Sequence, residues 1–275
     1  MQILKTQKEV DKFLEENKTK SIGFVPTMGA LHDGHLSLLN KAKAENNLVI
    51  CSIFINPTQF NDQSDFQKYP RSLESDLKML EKAETDAVFC PEVAEIYPDS
   101  VSTKIEFETP MMNILEGKFR PGHFLGVATV VKRLFEIVRP ARAYFGKKDY
   151  QQVKIIQQMV SFYNLPVKIV TCETLREISG LAMSSRNMRL SPEELEIAPK
   201  IYEVLQNLKS NLNSDNFVDL LAKYRRELQK NFQVEYLELC DQKNLSIVQK
   251  FDDKPKVILI AAWLGQVRLI DNLEI

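Results

Sequence analysis

Histidine, glycine and tryptophan are scarce in this chain of 275 residues, which has three histidines, nine glycines and one tryptophan. No apolar stretch approaches the roughly 20 residues that a membrane-spanning helix needs. The first five residues, Met1 to Lys5, lack the apolar segment of a signal peptide. The lack of a membrane-spanning stretch and of a signal segment predicts a cytoplasmic protein with no membrane partner.

The chain also lacks an excess of charge of either sign. The 36 basic and 37 acidic side chains give a net charge of −1. No global field therefore attracts nucleic acid or anionic lipid, and we expect no nucleic-acid partner. Any anion site must be built locally, within an otherwise ordinary globular composition of 44% hydrophobic and 27% charged residues.

Cysteine is too sparse and too scattered to indicate disulfides or zinc. Cys51, Cys90, Cys172 and Cys240 form no Cys-x-x-Cys pair, and three of them sit in apolar runs, which favours buried reduced thiols. A tetrahedral zinc site needs three or four ligands. The only histidine beyond the 32/35 pair is at position 123, so zinc is disfavoured and metal ligands stay unknown.

Short apolar runs alternate with helix-period segments through the first two-thirds of the chain. This alternation is typical of an α/β, Rossmann-like fold with a doubly wound parallel sheet. A near-continuous apolar run such as 48–55 indicates a strand buried on both faces. The predicted strands are 21–28, 48–55, 87–90, 105–107, 143–145 and 167–172, and the predicted helices are 36–45, 73–82, 124–138 and 150–163.

From about Ser191 the pattern changes to helices followed by successive strands. Helices are predicted at 192–212 and 217–232, and strands at 234–239, 257–262 and 266–270. This order favours a smaller α+β domain with an antiparallel sheet. The polar segment 175–189 is the predicted connection, which gives domains 1–174 and 175–275.

The first candidate site is the segment from Pro26 to His35, which follows the first strong strand and leads into a helix. Backbone N–H groups and the helix dipole at such a point suit a phosphate. The segment has no Gly-x-Gly-x-x-Gly fingerprint. Instead, His32-Asp33-Gly34-His35 places two imidazole donors at a tight turn, where they can stabilise charge in phosphoryl or nucleotidyl transfer. Two polar residues in a surface loop are the open alternative.

Two further segments are competent to bind phosphate. Gly146-Lys147-Lys148-Asp149 ends a predicted strand, where glycine permits close approach and lysine supplies charge. Met183-Ser184-Ser185-Arg186 supplies hydroxyls and a guanidinium within the predicted connection. Each alone is as well explained by a solvated loop. Three such segments at strand ends or a hinge favour a nucleotide site.

A polar pocket is indicated beside these loops. Asn56 and Gln59 follow the second central strand and can orient hydroxyl or carboxylate groups. Arg120 precedes the long apolar helix and can face an anion. Each is equally explained as a turn former or a helix-start residue.

An ordered set of motifs carries a resemblance to a known family. PTMGALHDGH, SIFINPTQF, YPRS, RPGHFLGVATVV, YFGKKDYQQ and LAMSSRN span positions 26 to 187, and GQVRLIDN follows near the end. In this order they resemble the pantothenate synthetase family. His-x-Gly-His alone would indicate only the wider nucleotidyltransferase superfamily, shared with class I aminoacyl-tRNA synthetases.

The resemblance implies a two-step ligase that uses ATP with Mg²⁺. Pantoate carboxylate attacks the α-phosphorus, giving pantoyl adenylate and pyrophosphate. The amine of β-alanine then displaces AMP to form pantothenate. The resemblance also implies a homodimer and a small domain that acts as a lid over the site.

Site residues are implied position by position. His35, as proton donor, His32 and Lys148 are the implied catalytic residues. The implied ATP-binding residues are Met28, Gly29, Ala30, Leu31, His32, Asp33, Gly34, His35, Gly146, Lys147, Lys148, Asp149, Ile178, Met183, Ser184, Ser185 and Arg186. Those implied for pantoate or β-alanine are Gln59, Gln152, Asn56 and Arg120.

Two departures and two rival functions accompany the resemblance. Asp33 stands where the family commonly has glutamate, and Asn187-Met188-Arg189 replaces the usual Asn-Gly-Tyr. A nucleotidyltransferase acting on another acid would share the histidine motif but has no reason to carry paired Gln59 and Gln152. A non-catalytic nucleotide-binding protein would not need its phosphate-contacting residues.

Overall fold

The computed structural model describes residues 1–60, 66–67, 69–70, 72–98 and 105–275. The chain forms two compact units. The first unit is Met1–Gly146 with Ile155–Cys172, and the second is Lys147–Lys154 with Glu173–Ile275. The division of function between 1–174 and 175–275 stays a prediction.

The first unit is built on a six-stranded sheet in which all the strand pairs are parallel. The strand order is β1-β4-β3-β2-β5-β6. The strands are β1 Gln2–Leu4, β2 Ile22–Thr27, β3 Leu48–Ile53, β4 Ala87–Phe89, β5 Arg142–Gly146 and β6 Lys168–Cys172. The helices along this part of the chain are α1 Gln7–Glu16, α2 Asp33–Glu45, α3 Leu73–Lys82, α4 Val93–Ile96, α5 Glu116–Phe119, α6 His123–Val138 and α7 Tyr150–Phe162. The predicted parallel α/β architecture is confirmed.

Strand order places a topological switch point beside β2. From β2 the chain continues to β3 on one side, whereas β5 occupies the other side. Ligands bind such sheets outside the carboxyl ends of the strands at this point. The chain leaves the sheet there after Thr27 and after Gly146, which are the ends that carry two of the candidate segments.

One predicted strand is wrong and two elements near the N-terminus were not predicted. Residues 105–107 form no strand, because the Glu106 N–H donates to the Tyr163 hydroxyl at 2.9 Å rather than to a neighbouring strand. The missed elements are β1 and α1. The signal for α1 was the capping box in which Thr6 and Glu9 satisfy each other's backbone N–H groups.

The second unit is an α+β unit with a three-stranded antiparallel sheet, as the helix-then-strand order predicted. Its strands are β7 Gln233–Asp241, β8 Lys256–Leu264 and β9 Val267–Glu274 in the order β7-β8-β9. Its helices are α8 Pro192–Ile197, α9 Lys200–Asn211 and α10 Phe217–Leu228. The predicted single helix 192–212 is divided at Pro199, because proline has no N–H with which to continue the first helix.

All four cysteines are free thiols, and the predicted burial holds for two of them. Cys51 and Cys240 are buried, whereas Cys90 and Cys172 are partly exposed. Within the described ranges, none of the helices combines the length and the apolar character needed to cross a membrane.

Candidate active site

His32 and His35 lie at the start of α2, where the ring of each accepts a backbone N–H of the first turn. Nδ1 of His32 accepts the Gly34 N–H at 3.1 Å, and Nδ1 of His35 accepts the His32 N–H at 3.3 Å. The ring centroids are 4.1 Å apart. The pair therefore forms a capping box in which imidazoles replace the usual hydroxyl and carboxylate. Because each Nδ1 is an acceptor, each neutral ring carries its proton on Nε2 and donates from there.

A buried carboxylate holds the turn that precedes α2. Gly29 and Ala30 have φ angles of +80° and +50°, a left-handed conformation that alanine keeps only when its surroundings enforce it. Asp76, 2% exposed in α3, accepts the N–H of Ala30 at 2.9 Å and that of Leu31 at 2.8 Å. Thr27 Oγ1 accepts the Gly29 N–H at 3.2 Å. The turn is therefore fixed by side chains on two other elements.

Most backbone amides of the segment 26–35 already have acceptors within the protein, and its contacts with a nucleotide stay a prediction. The N–H groups of residues 29–32, 34 and 35 donate to acceptors within the protein. An anion at this helix start would instead meet the imidazole donors and the positive end of the helix dipole.

Gln59 adjoins the histidine segment within the first unit. Its Nε2 lies 2.8 Å from the Met28 sulfur, and its Oε1 accepts from Asn56 Nδ2 at 3.2 Å. Asn56 is 1% exposed and Gln59 is 8% exposed. The two predicted subsites, one for nucleotide and one for the acid, therefore meet at the contact between Met28 and Gln59.

Both polar atoms of the Asn56 side chain form hydrogen bonds within the first unit. Its Nδ2 also donates to the Gly126 carbonyl at 3.2 Å. Its Oδ1 accepts from the Thr58 N–H and hydroxyl at 3.3 and 3.0 Å, and from the Tyr97 hydroxyl at 2.7 Å. Burial raises the pKa of Tyr97, which keeps its hydroxyl a donor. A ligand contact to Asn56 would have to displace one of these bonds.

Helix α6 packs against the backbone of the turn that contains Gln59. Nδ1 of the buried His123 lies 2.8 Å from the Gln59 carbonyl oxygen; because a carbonyl only accepts, this nitrogen carries the proton. A Cβ atom at Gly126 would lie 2.5 Å from the Thr58 carbonyl oxygen. Arg120 is half-buried at the end of α5, three residues before α6 begins.

A cavity of about 610 Å³ opens beside Met28 and Gly29 in the first unit. Its walls include Phe54, Asp76 and Cys90, and its volume is typical of small-molecule pockets. Burial raises the pKa of Cys90 to about 11. A raised pKa disfavours the reactive thiolate form of Cys90 near neutral pH.

In the second unit, β9 holds the lysine turn 147–149. Nδ2 of Asn272 donates to the carbonyls of Lys147 and Lys148 at 2.9 and 3.0 Å. The Lys147 ammonium pairs with Glu173 at 2.7 Å and Glu274 at 2.8 Å. Burial opposes the charge of Lys147, but its hydrogen bonds to the two glutamates raise the pKa of the ammonium. These two ion pairs hold the Lys147 ammonium against Glu173 and Glu274.

The serine-arginine segment lies in the same unit and ends a short hairpin. The Glu177 N–H donates to the Leu181 carbonyl at 2.8 Å, and the Met183 N–H donates to the Leu175 carbonyl at 3.0 Å. Ser184 Oγ then caps the following 3₁₀ turn by accepting the Arg186 N–H at 3.2 Å.

The other predicted residues of the second unit differ widely in exposure. Ile178, at the tip of the hairpin, is fully exposed, whereas Ser185 is 8% exposed. Gln152 is half-buried in α7, and Asp149 is exposed. Met188, which replaces the usual glycine of the family motif, is 71% exposed, so its side chain does not disturb the interior.

A family model described as pantoate-beta-alanine ligase matches residues 2–274. The chain belongs to the pantoate–β-alanine ligase family. Among curated relatives, the pantothenate synthetase of Thermotoga petrophila is 47% identical over 279 residues, covering 99% of each chain. That of Cytophaga hutchinsonii is 47% identical over 266 residues, covering 95% of this chain and 94% of the relative. Family membership makes the chain a ligase and excludes the non-catalytic alternative.

Solved structures of the family share the fold over nearly the whole chain. The pantothenate synthetase of Thermus thermophilus superposes with a TM-score of 0.91 at 40% identity, covering 99% of each chain. The Francisella tularensis pantoate–β-alanine ligase, described as complexed with β-γ ATP and β-alanine, has a TM-score of 0.83 at 42% identity. That structure covers 99% of this chain and 97% of its own.

Sequence reasoning missed the side chains that hold the candidate segments in place. Asp76, Tyr97 and His123 support the first unit's segments, and Asn272 and Glu274 support the lysine turn. Three of them had a signal, because His123 lies in the RPGHFLGVATVV motif and Asn272 and Glu274 lie in or beside the GQVRLIDN motif. The contacts of the others link residues far apart in sequence, which local patterns do not report.

Proposed function

We propose that this ligase condenses pantoate with β-alanine through a pantoyl-adenylate intermediate. A pantoate carboxylate oxygen forms a bond to the α-phosphorus of ATP, and the bond to pyrophosphate breaks. The β-alanine amine then forms a bond to the acyl carbon, AMP leaves, and the amine loses a proton. The first step needs charge neutralisation and in-line positioning more than covalent help from the protein.

The observation that carries the proposal is the contact between Met28 and Gln59 in the first unit. Their 2.8 Å approach joins the segment proposed for ATP to the pocket proposed for pantoate. A carboxylate in that pocket would lie next to a nucleotide at the start of α2, as attack on the α-phosphorus requires. The cavity beside Met28 supplies room for ligand atoms.

Each proposed residue has a role that matches its chemistry. Nε2 of His32 and of His35 donates to phosphate oxygens, with His35 as the proton donor, and Lys148 neutralises charge as pyrophosphate forms. Gln59 and Gln152 bind pantoate, and Arg120 attracts its carboxylate. The bonds of Asn56 support a part in orienting Gln59. The remaining ATP contacts are proposed for Met28 through Gly34, Gly146, Lys147, Asp149, Ile178 and Met183 through Arg186.

Mg²⁺ fits this site as a companion of ATP rather than as a resident metal. The part of the chain that the structure describes has no group of three or more histidine, cysteine or acidic side chains able to hold a metal ion. Mg²⁺ usually binds through substrate phosphates with few protein ligands. We therefore propose that it enters on the nucleotide, where it would neutralise phosphate charge.

The proposal extends to the whole protein. Residues 1–174 bind ATP and pantoate, and 175–275 act as a lid; the enzyme is a cytoplasmic homodimer. Light scattering of the purified chain measures the oligomeric state, and a monomer mass would refute the dimer.

The decisive experiment is a product assay. The protein is incubated with Mg-ATP, pantoate and β-alanine, and AMP, pyrophosphate and pantothenate are measured. Omitting β-alanine should leave a bound pantoyl adenylate with one pyrophosphate released per site. Formation of ADP and phosphate, or turnover only with another acid, would refute the proposed reaction.

Substitutions test the proposed residues. In His35→Ala and in Lys148→Ala we expect folded proteins with kcat reduced on the order of 10²-fold or more, the scale for removing one electrostatic donor. Lys12→Ala, which removes a lysine whose side chain is 78% exposed on α1, is the control and should retain the wild-type rate. Wild-type rates in both test variants would disprove the assignment.

A further inference from the structure

The end of β9 carries adjacent polar residues that face opposite sides of the second unit's sheet. Val267 and Leu269 belong to the apolar core of this unit, and strand alternation places Asp271 on their side and Asn272 and Glu274 on the other. Asp271 and Asn272 are only 4% and 6% exposed. Buried polar side chains are retained where they satisfy specific partners.

On the core side, Asp271 fixes the hairpin that precedes the serine-arginine segment. Both Asp271 oxygens accept from the Arg176 guanidinium, at 2.6 and 2.9 Å. The same guanidinium donates to the Gly180 carbonyl at 3.1 Å and lies 3.6 Å from the Tyr202 ring centroid. The two hydrogen bonds to Asp271 and the stacking on the Tyr202 ring together restrict the Arg176 guanidinium to one orientation. The hairpin from 175 to 183 is therefore tied to β9 immediately before Ser184.

On the other side, Asn272 and Glu274 fix the lysine turn. The Asn272 amide bonds two consecutive carbonyls, those of Lys147 and Lys148. Glu274 accepts from the Lys147 ammonium at 2.8 Å and from the Tyr150 hydroxyl at 3.1 Å. Holding two successive carbonyls sets the direction in which the Lys148 side chain leaves the turn.

We propose that Asp271 and Asn272 are positioning residues that hold the lysine turn and the serine-arginine segment as one preassembled anion-binding frame. The inference rests on the proposed function, in which both segments bind ATP phosphates. Its physical basis is preorganisation, because donors already fixed in place need no reordering when charge develops. Neither residue needs to touch the nucleotide.

Two variants loosen the frame at different points. Asn272→Ala removes the amide from the lysine turn. The double variant Arg176→Gln with Asp271→Asn removes the ion pair without leaving a lone buried charge. For each we expect kcat/KM for ATP to fall about 10- to 100-fold, the range typical of residues that orient a ligating group, while the KM for β-alanine changes less than about threefold.

The matched control lies on the same sheet. Glu235 accepts from the Arg268 guanidinium at 2.6 and 2.9 Å and from the Trp263 ring N–H at 2.6 Å, and this pair is nearly as buried as Arg176 and Asp271. Arg268 lies four residues before Asn272, roughly 13 Å along β9. Glu235→Gln should therefore lower Tm without selectively changing the KM for ATP.

Hydrogen exchange measures positioning without relying on catalysis. Asn272→Ala should speed amide exchange in peptides covering 147–152, and the double variant should do so in peptides covering 175–187. If Asn272→Ala does not fold, Asn272→Gln, which keeps the amide on a longer arm, replaces it with the same expected changes.

The outcomes separate the two hypotheses. Wild-type kinetics for ATP in both variants, or an equal loss in Glu235→Gln, would overturn the positioning role. A wild-type protein that makes no pantothenate would refute the proposed function, and the exchange measurement would still decide whether β9 holds the two segments.

Discussion

At the scale of single residues, several side chains that looked like ligand contacts also bind one another. Nδ1 of both His32 and His35 is committed to a backbone N–H, so each ring presents Nε2 as its donor. Asn56 has a protein partner for every polar atom of its side chain. Their residue types suit the proposed chemistry, but the bonds they make in the fold decide which side-chain atoms act as donors and which as acceptors.

Asp76 offers a test at this scale. Asp76→Ala leaves two buried N–H groups, those of Ala30 and Leu31, without their carboxylate acceptor. Hydrogen bonds to a charged group contribute about 1.5–3 kcal/mol each. We expect the free energy of unfolding to fall by about 3 kcal/mol and kcat to fall as the histidine segment shifts. Urea unfolding and steady-state kinetics provide the two measurements.

Two companion variants sharpen this test. Asp76→Asn keeps one acceptor oxygen but turns an amide NH₂ toward the other N–H, so an intermediate loss is expected. Glu74→Ala changes an exposed residue in the same turn of α3 and should alter stability by less than about 0.5 kcal/mol. Wild-type stability in Asp76→Ala would show that the carboxylate does not hold the turn.

At the scale of elements, the proposed acid pocket depends on how closely α6 approaches the turn 57–59. Gly126 permits that approach, because a Cβ there would lie 2.5 Å from the Thr58 carbonyl oxygen and 3.0 Å from the Gln59 Cα. The Asn56 amide and the His123 ring bridge the same two elements. The packing of α6 against the turn, rather than the turn alone, therefore determines the position of Gln59.

Gly126→Ala should displace Gln59 while leaving α6 intact. Alanine favours a helix by about 1 kcal/mol over glycine, so any defect must come from the contact with Thr58. We expect kcat/KM for pantoate to fall by between about tenfold and 10²-fold, the effect of a displacement near 1 Å, with a smaller change in the KM for ATP.

Thr129→Ala is the control for this substitution. Thr129 lies on the same helix and its hydroxyl bonds only locally among its described contacts, to the Leu125 carbonyl at 2.7 Å. Its kinetics should match the wild type. Equal kinetics for Gly126→Ala and wild type would mean that the turn accommodates the added methyl group and that Gln59 keeps its place.

At the scale of the whole molecule, the chain builds two compact units with separate sheets. The single tryptophan, Trp263, lies in β8 of the second unit, so its fluorescence reports the unfolding of that unit. Glu274 lies in the same unit. Burial alone would raise the pKa of Glu274, but its hydrogen bond to Lys147 and the charge of that lysine lower it.

A lowered carboxyl pKa makes the stability of this unit depend on pH. The folded state favours the charged form of Glu274, so its contribution is present above the ordinary glutamate pKa of about 4.3 and is lost as pH falls through the lower folded value. In a plot of the free energy of unfolding against pH, Glu274→Gln should reduce the slope below about pH 5. At pH 7 we expect a loss of under about 1 kcal/mol, since the Glu274 side chain is 35% exposed.

Glu173→Gln is the matched control for the pH experiment. Glu173 is the other partner of Lys147, but its side chain is 85% exposed, and such pairs contribute little. Its unfolding curves, followed through Trp263, should keep the wild-type dependence on pH. If the free energy of unfolding depends on pH in the same way for Glu274→Gln and wild type, the charge of Glu274 does not stabilise the unit.

Local patterns determined much of this protein. The uninterrupted apolar runs predicted the buried parallel strands, the helical periods predicted the helices between them, and the motif order predicted the family, because each signal is complete within a few neighbouring residues. The failure at 105–107 has the same origin, since an alternating apolar pattern cannot reveal that a Tyr163 hydroxyl takes the place of a strand partner.

Only the tertiary structure decided what holds the candidate segments. Asp76 reaches Ala30 across 46 positions of sequence, and Asn272 reaches Lys147 across 125. Such contacts form when separate elements pack, and many residue types could occupy either end of them without changing a local pattern. The motifs therefore predict which residue types form the candidate site, whereas packing between distant elements determines how those residues are positioned.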